Sequence, residues 1–283
     1  MNLSQKNKII TLQNNEFNKK CQYVSRYYYN LAERLNYIII ILLALSFLPV
    51  FYKKENTIFL IIHFCIDLLI VLLQCYKSSK FKKGTKLRNY FDQVIFKMSK
   101  VDSNSEYEIK KLVNPVVYRN KEKCKIQISN DGTDCPPGVK NWYIVKKDDS
   151  QLIAIFECQK QNIWWQEKMM KYKFITSVLL FTASGIILFS IYSDSGLTIK
   201  LFLSSPLIFK LSKSIYSYAK YICISKEIEG IVASLDCYIM NDSLKLLQQK
   251  IESRRSIPII NINFFHKKTA KANSEIYNNI MNS

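Results

Sequence analysis

Four long apolar stretches alternate with polar, basic segments along the chain. They comprise residues 35–51, 58–76, 174–192 and 197–215. About 20 residues of helix cross the hydrocarbon core of a bilayer, so each stretch is close to the length of a membrane span. The first, LNYIIIILLALSFLPVF, is apolar on every side and not along one stripe, which favours a membrane helix over the core helix of a soluble protein. The pattern therefore predicts four transmembrane helices.

Short polar links divide these spans into two hairpins. The fourth span is the weakest, because it contains Lys200, Lys210 and Pro206. Without it, however, the chain could not return across the membrane after the third span. We expect an all-α membrane protein with four transmembrane helices in two hairpins, and a mainly helical cytoplasmic region with at most a short β element. The predicted divisions are a cytoplasmic N-terminal helix (1–34), transmembrane hairpin 1 (35–76), a cytoplasmic sensor-like region (77–173), transmembrane hairpin 2 (174–215), and a cytoplasmic C-terminal helix and tail (216–283).

Charge decides the orientation of the spans. The net charge is +19, and Lys or Arg outnumber acids by six to two in residues 1–34, twenty-one to eleven in 77–173, and ten to six in 212–283. Basic loops stay on the cytoplasmic side, so these three segments and both chain ends are expected in the cytoplasm. Because the retention of basic loops on the cytoplasmic side is sufficient to explain the basic composition, we expect no DNA or RNA partner.

Periodicity predicts the secondary structure of the cytoplasmic segments. Apolar residues at helical spacing continue the second span to Met98, and the same spacing predicts helices at 106–120, 151–172 and 225–255. The alternating run from Lys123 to Ser129 predicts a short strand instead. Residues 142–145 are its candidate pairing partner.

The sequence lacks the residue clusters that most enzymes need. It has eight scattered cysteines without a CxxC pair, and its only histidines are His63 and His266. Hydrolytic and metal sites usually need more histidines or paired cysteines, and no nucleotide-fingerprint or hydrolase motif occurs. We expect no enzyme activity, no metal and no redox cofactor.

Short motifs between the spans resemble one known family in their order. The motifs are LQNNE ending at Glu16, YYxxA at Tyr28, Tyr29 and Ala32, FDxxxF at Phe91, Asp92 and Phe96, NWY at Asn141 to Tyr143, and CQxxNxxW at Cys158 to Trp165. Together with four spans they resemble the SMODS-associated four-transmembrane effector family, the pore-forming effectors of bacterial CBASS anti-phage systems. Asn141 stands where that family usually has Asp, and Lys160 where it usually has Arg.

The resemblance implies a multi-pass protein of the bacterial inner membrane that waits for a cyclic di- or trinucleotide made by a partner cyclic-oligonucleotide synthase. Binding is expected to make the chain oligomerise or rearrange, with a homo-oligomer as the active form, and to disrupt the lipid bilayer, which ends in abortive infection. Two other functions stay open. One is a membrane-anchored sensor or scaffold without pore activity, and the other is a small transporter.

A cyclic nucleotide needs cations for its phosphates and aromatic or amide groups for its bases. The segment between the hairpins contains both kinds. The candidate ligand-binding residues are Arg119, Lys123, Lys125, Trp142, Tyr143, Gln159, Asn162 and Trp165. An alternative is that the tryptophans belong to the core or to an interfacial belt and that the lysines form a solvated surface.

Polar residues inside the spans are candidates for a pore lining. They are His63, Asp67, Ser204 and Lys210. Charges within a span are costly and are expected to face protein or water. Asp67 and Lys210 lie at similar depth and can pair, or Asp67 can instead bond to His63 one helical turn away.

Overall fold

The computed structural model describes residues 8–46, 57–98, 103–146, 148–191 and 197–258. The described residues form helices and no strand. In chain order the helices are α1 (Ile9–Gln13), α2 (Glu16–Ser46), α3 (Thr57–Phe96), α4 (Ser103–Arg119), α5 (Lys121–Ser129), α6 (Gln151–Ile191), α7 (Leu197–Cys237) and α8 (Asn241–Ser256). The mainly helical fold is confirmed for this part of the chain. Four of the helices run across the predicted divisions at 34, 76, 173 and 215 without a break.

The predicted strand at Lys123 to Ser129 is wrong, because this segment is helix α5. Cys124 is buried, Gln127 and Ile128 are half-buried, and Ile126 is exposed. Inward positions three and four residues apart fit a helix and not a strand, in which alternate residues share a face. A run this short satisfies both periodicities, so packing against α2 decided its conformation.

The single helix predicted over 225–255 is also wrong. The chain breaks after Cys237, and the extended backbone at Met240 starts α8 at Asn241. Asp242 lies in the first turn of α8, where a carboxylate interacts favourably with the helix dipole. The break lets α8 fold back so that Leu244, Leu247 and Ile251 pack in the same core as Ile228 and Leu235 of α7.

Among the described residues, helices α2 and α3 share the most extensive helix–helix contact. Their backbones approach at Gly84, where an added Cβ would lie 3.2 Å from the carbonyl oxygen of Ser25. The Ser25 hydroxyl donates to the Gly84 carbonyl at 2.8 Å. A side chain at this position would crowd the α2 backbone, and the contact holds the two helices together below the apolar region.

Helix α3 changes surroundings along its length. In its first half Ile58, Phe64 and Leu72 are each at least 60% exposed, whereas Leu87, Phe91 and Ile95 in its second half are fully buried. A long stripe of uncovered apolar side chains is typical of a lipid-facing surface. Within the described residues, two helices have the length and composition to cross a membrane, and they span Glu16–Ser46 and Ile61–Phe96.

Candidate functional site

A buried carboxylate on α3 is the centre of the polar structure in the core. The Asp92 side chain is fully buried. Its Oδ2 accepts a hydrogen bond from Arg255 Nη2 at 2.7 Å, and its Oδ1 accepts one from the Tyr143 hydroxyl at 2.6 Å. Helix α8 and the loop before α6 are thus both bonded to α3 through one side chain.

Arg88 extends this network one helical turn along α3. Its Nη1 donates to Gln22 Oε1 of α2 at 2.5 Å, and its Nη2 donates to Asn162 Oδ1 of α6 at 3.1 Å. Asn162 Nδ2 in turn donates to the Tyr143 hydroxyl at 2.8 Å. We call Arg88, Asp92, Tyr143, Asn162 and Arg255 the junction, because these five side chains join α3 to α6, α8 and the loop before α6.

The junction holds two buried guanidinium groups against one carboxylate. Burial is the largest single effect on the pKa of Arg255 and lowers it, but the charge and hydrogen bond of Asp92 together with Tyr143 and Tyr29 outweigh burial, so the pKa is raised above its ordinary value. Burial, with the adjacent Asp92, raises the pKa of Tyr143 well above its ordinary value. Tyr143 is therefore a permanent hydrogen-bond donor and Arg255 a permanent cation at neutral pH.

A tryptophan covers the junction on one side. The Arg88 guanidinium lies 4.2 Å from the centroid of the Trp142 ring, and that of Arg26 lies 5.7 Å from it. Arg26 also donates to the carbonyl oxygens of Pro137 at 2.8 Å and Gly138 at 3.0 Å. Burial, followed by repulsion from Arg88, lowers the pKa of Arg26 to about 10, so it is still charged at neutral pH.

A second set of polar contacts holds α8 in place. Gln159 Nε2 donates to the Leu244 carbonyl at 3.0 Å, and Arg254 donates to Gln166 at 2.9 Å and to Ser225 at 3.1 Å. Helix α8 is thus bonded to α6 and α7 as well as to α3.

The structure brings some of the sequence-predicted ligand residues together and leaves others apart. Trp142, Tyr143 and Asn162 meet at the junction, and Gln159 is buried against α8. Arg119, Lys123 and Lys125 are exposed at the end of α4 and along α5. Trp165 is half-buried with its ring 5.2 Å from that of Trp164. As a ligand-binding set these residues stay a prediction.

Sequence reasoning assigned no site role to the three charged residues of the junction, Arg88, Asp92 and Arg255, although Asp92 belongs to the FDxxxF motif. The sequence of α3 nevertheless contains an indication that two of these charges are buried. Arg88 and Asp92 are four residues apart and adjoin the apolar series Leu87, Phe91 and Ile95, which is fully buried. A charge pair beside the apolar face of a helix indicates partners from another element.

A groove lies beside the junction between α3, α4 and the end of α8. Its volume is about 550 Å³, and its lining includes Lys82, Lys86, Asn89, Gln93 and Ser105. Two of these side chains are already bonded to α8, since Asn89 Oδ1 accepts from Arg255 Nη1 at 2.7 Å and Gln93 Nε2 donates to Glu252 at 3.3 Å. A ligand in this groove would touch the contacts that hold α8.

Inside the apolar region, Asp67 pairs within its own helix. The fully buried His63 lies 3.3 Å from Asp67 through Nε2 and 3.0 Å from the Ser46 carbonyl oxygen through Nδ1. No salt bridge joins Asp67 to Lys210 among the residues described by the structure. The side chain of Ser204 lies outside the described residues. A pore-lining role for these four residues stays a prediction.

Comparison with known families gives a match that covers almost the whole chain. The model of the SMODS-associating 4TM effector domain matches residues 7–279. The chain belongs to this family. Neither the curated proteins nor the solved structures gave a match. The predicted family is therefore confirmed, and membership identifies a transmembrane effector domain associated with SMODS systems of antiviral defence.

Proposed function

We propose that this chain is an inner-membrane effector that a cyclic oligonucleotide activates to disrupt the bilayer and abort phage infection. It performs no chemistry of its own and takes no cofactor. A partner synthase supplies the messenger, the chain ends lie in the cytoplasm, and the lipid bilayer is the target. Family membership supports the link to a synthase.

One structural observation supports this proposal above others, which is the continuity of α3. A single unbroken helix joins the exposed apolar residues near Ile58 to Asp92 at the junction. At 1.5 Å per residue, these two residues are about 50 Å apart. An α-helix is stiff on this scale, so a tilt or rotation imposed at the junction also moves the apolar end.

We place the messenger in the groove between α3, α4 and α8. Its volume of about 550 Å³ lies within the range of roughly 300–1,000 Å³ typical of ligand pockets. Lys82 and Lys86 supply cations for phosphate groups, and Asn89 and Gln93 supply amides for base edges. Because both amides are bonded to α8 in this structure, a ligand that competes for them loosens α8 from α3.

Membrane disruption requires more than one copy of the chain. A single four-helix bundle fills its interior with side chains and leaves no aqueous channel. The activated state is therefore a homo-oligomer in which apolar helices of several copies surround the lesion.

A scaffold without pore activity is the second candidate function. Tyr107 and Tyr118, both exposed, lie eleven residues apart on α4, which is close to three helical turns and places them on one face. Exposed aromatic residues on a single face are typical of protein-binding surfaces.

Dye release from liposomes that contain the purified full-length chain tests the proposal. We expect release when a cyclic di- or trinucleotide is added and none with linear nucleotides. Messenger that binds without release would favour the scaffold. Neither binding nor release with any cyclic di- or trinucleotide would contradict the proposal.

Two double variants with equal charge change locate the messenger. In neutral detergent, Lys82→Gln/Lys86→Gln should weaken messenger binding at least tenfold. Lys123→Gln/Lys125→Gln alters the exposed lysines of α5 and should leave the affinity within twofold. The reverse result would move the messenger site from the groove to the residues that the sequence predicted.

A further inference from the structure

A larger cleft separates α3 from α7, near the level where the second predicted span ends. Its volume is about 940 Å³. Helix α3 contributes Ile70 and Val71 at one end of the cleft and Lys82 and Lys83 at the other, and α7 contributes Phe209 and Lys213. The cleft contains no residue of the junction, and it shares only Lys82 and Lys86 with the groove on the α4 side of α3, where we place the messenger.

The lining of the cleft changes in chemistry along α3. The residues are apolar at 70 and 71, carry hydroxyl groups at Ser78 and Ser79, and are basic at Lys82, Lys83 and Lys86. The distance from residue 70 to residue 86 along the helix is about 24 Å at 1.5 Å per residue. Acyl chain, ester region and phosphate follow one another over a comparable length in a phospholipid.

The charge of the cleft is unbalanced. Four lysines line it, whereas its one lining carboxylate, Asp67, lies toward the apolar end and pairs with His63 at 3.3 Å. Positive charges also adjoin one another beside the cleft, because Lys77 of α3 interacts electrostatically with Lys210 and Lys213 of α7. Among the described side chains, none of the four lining lysines forms a salt bridge. Lysines held together in this way favour a bound anion.

We propose that one anionic phospholipid occupies this cleft. Lys83 and Lys213, which line the cleft but not the groove, hold its phosphate, and its acyl chain lies along Val71 and Phe209. Basic pockets between membrane helices on the cytoplasmic side are typical sites for anionic headgroups. A soluble phosphate would leave the apolar end uncovered, where Val71 is 55% and Phe209 is 64% exposed. This proposal goes beyond the proposed function, since it requires neither the messenger nor membrane leakage.

The chain provides its own reporter and control. Cys75 lines the cleft and is exposed, and Cys135 is exposed in the loop before α6. Alkylation of each thiol can be followed by peptide mass spectrometry on the full-length chain in neutral detergent. Phosphatidylglycerol should slow alkylation of Cys75 at least fivefold, phosphatidylcholine less than twofold, and neither lipid should affect Cys135. Equal slowing by both lipids, or no slowing, would overturn the proposal.

Charge variants then test the headgroup contacts. Lys83→Gln/Lys213→Gln changes two lysines that line the cleft but not the groove. It should abolish the difference between the two lipids, whereas Lys111→Gln/Lys226→Gln, which alters two exposed lysines elsewhere on α4 and α7, should preserve it. Loss of the difference in both variants would indicate a general charge effect and refute the site. Equal protection of Cys75 by glycerol phosphate would show a soluble anion site and refute the lipid.

Discussion

Replacing Asp92 by Asn is the most direct test of the junction. The substitution keeps the shape of the side chain but removes the one carboxylate between Arg88 and Arg255, both of which are more than 90% buried. Removing one partner from a buried ion pair typically costs 3–5 kcal/mol, because the remaining charge is left uncompensated. We therefore expect the opening of α8 to become easier by about that amount.

Hydrogen exchange of the α8 peptides measures this free energy on the intact protein in detergent. A loss of about 3–5 kcal/mol corresponds to exchange that is faster by roughly 100- to 4,000-fold. Asp236→Asn is the matched control. That carboxylate is 56% exposed and lies 3.8 Å from Lys160, so its loss should change exchange by less than about threefold.

A double-mutant cycle shows whether the effect belongs to the pair. In Asp92→Asn/Arg255→Gln one of the two cations is removed together with the carboxylate, so the combined cost should be smaller than the sum of the single costs by at least ~1 kcal/mol. Strictly additive costs, or an Asp92→Asn effect no larger than that of Asp236→Asn, would refute the assignment of the junction as a coupled unit.

Three further perturbations test the loop before α6 and the packing of α2 against α3. Trp142→Ala should accelerate hydrogen exchange of α8 by about tenfold or more, because it removes a ring 4.2 Å from Arg88. Trp142→Phe keeps an aromatic ring at this position and should accelerate exchange less. Burial raises the pKa of Cys21 to about 12, so its contribution to stability is complete below the unfolded value near 8.5 and is lost as the pH rises toward 12. Thermal unfolding should show the wild type losing stability relative to Cys21→Ala between pH 9 and 11, and parallel curves would contradict this. Gly84→Val should lower the unfolding temperature, because its Cβ meets the α2 backbone at 3.2 Å, while Gly230→Ala, with no atom within 4 Å, should raise or preserve it.

The junction also connects the segment between the two predicted hairpins to the helices that continue the predicted spans. Each helix that continues one of the predicted spans, α2, α3, α6 and α7, forms polar contacts with α8 or with a residue of the junction. A change in the position of α8 therefore reaches both predicted hairpins.

The sequence by itself determined most of the long helices and the apolar segments of α2 and α3 that can enter a bilayer. Residues 35–51 and 58–76 are apolar over the length of a span, and this property depends only on local composition. The inward continuation of the second span was readable for the same reason, since Leu87, Phe91 and Ile95 repeat at helical spacing. The order of short motifs was sufficient to identify the family that the comparison confirmed.

Only the tertiary structure decided which polar groups meet. Asp92 and Arg255 are 163 residues apart in sequence, and no local pattern indicates that they form a hydrogen bond of 2.7 Å. The break at Met240 could not be predicted for a related reason. It is stabilised by the packing of α8 in the core and not by local helix propensity. Periodicity specifies which face of a helix is buried, whereas the partner on that face depends on long-range packing. For this reason the junction, the groove and the cleft were found only in the folded chain.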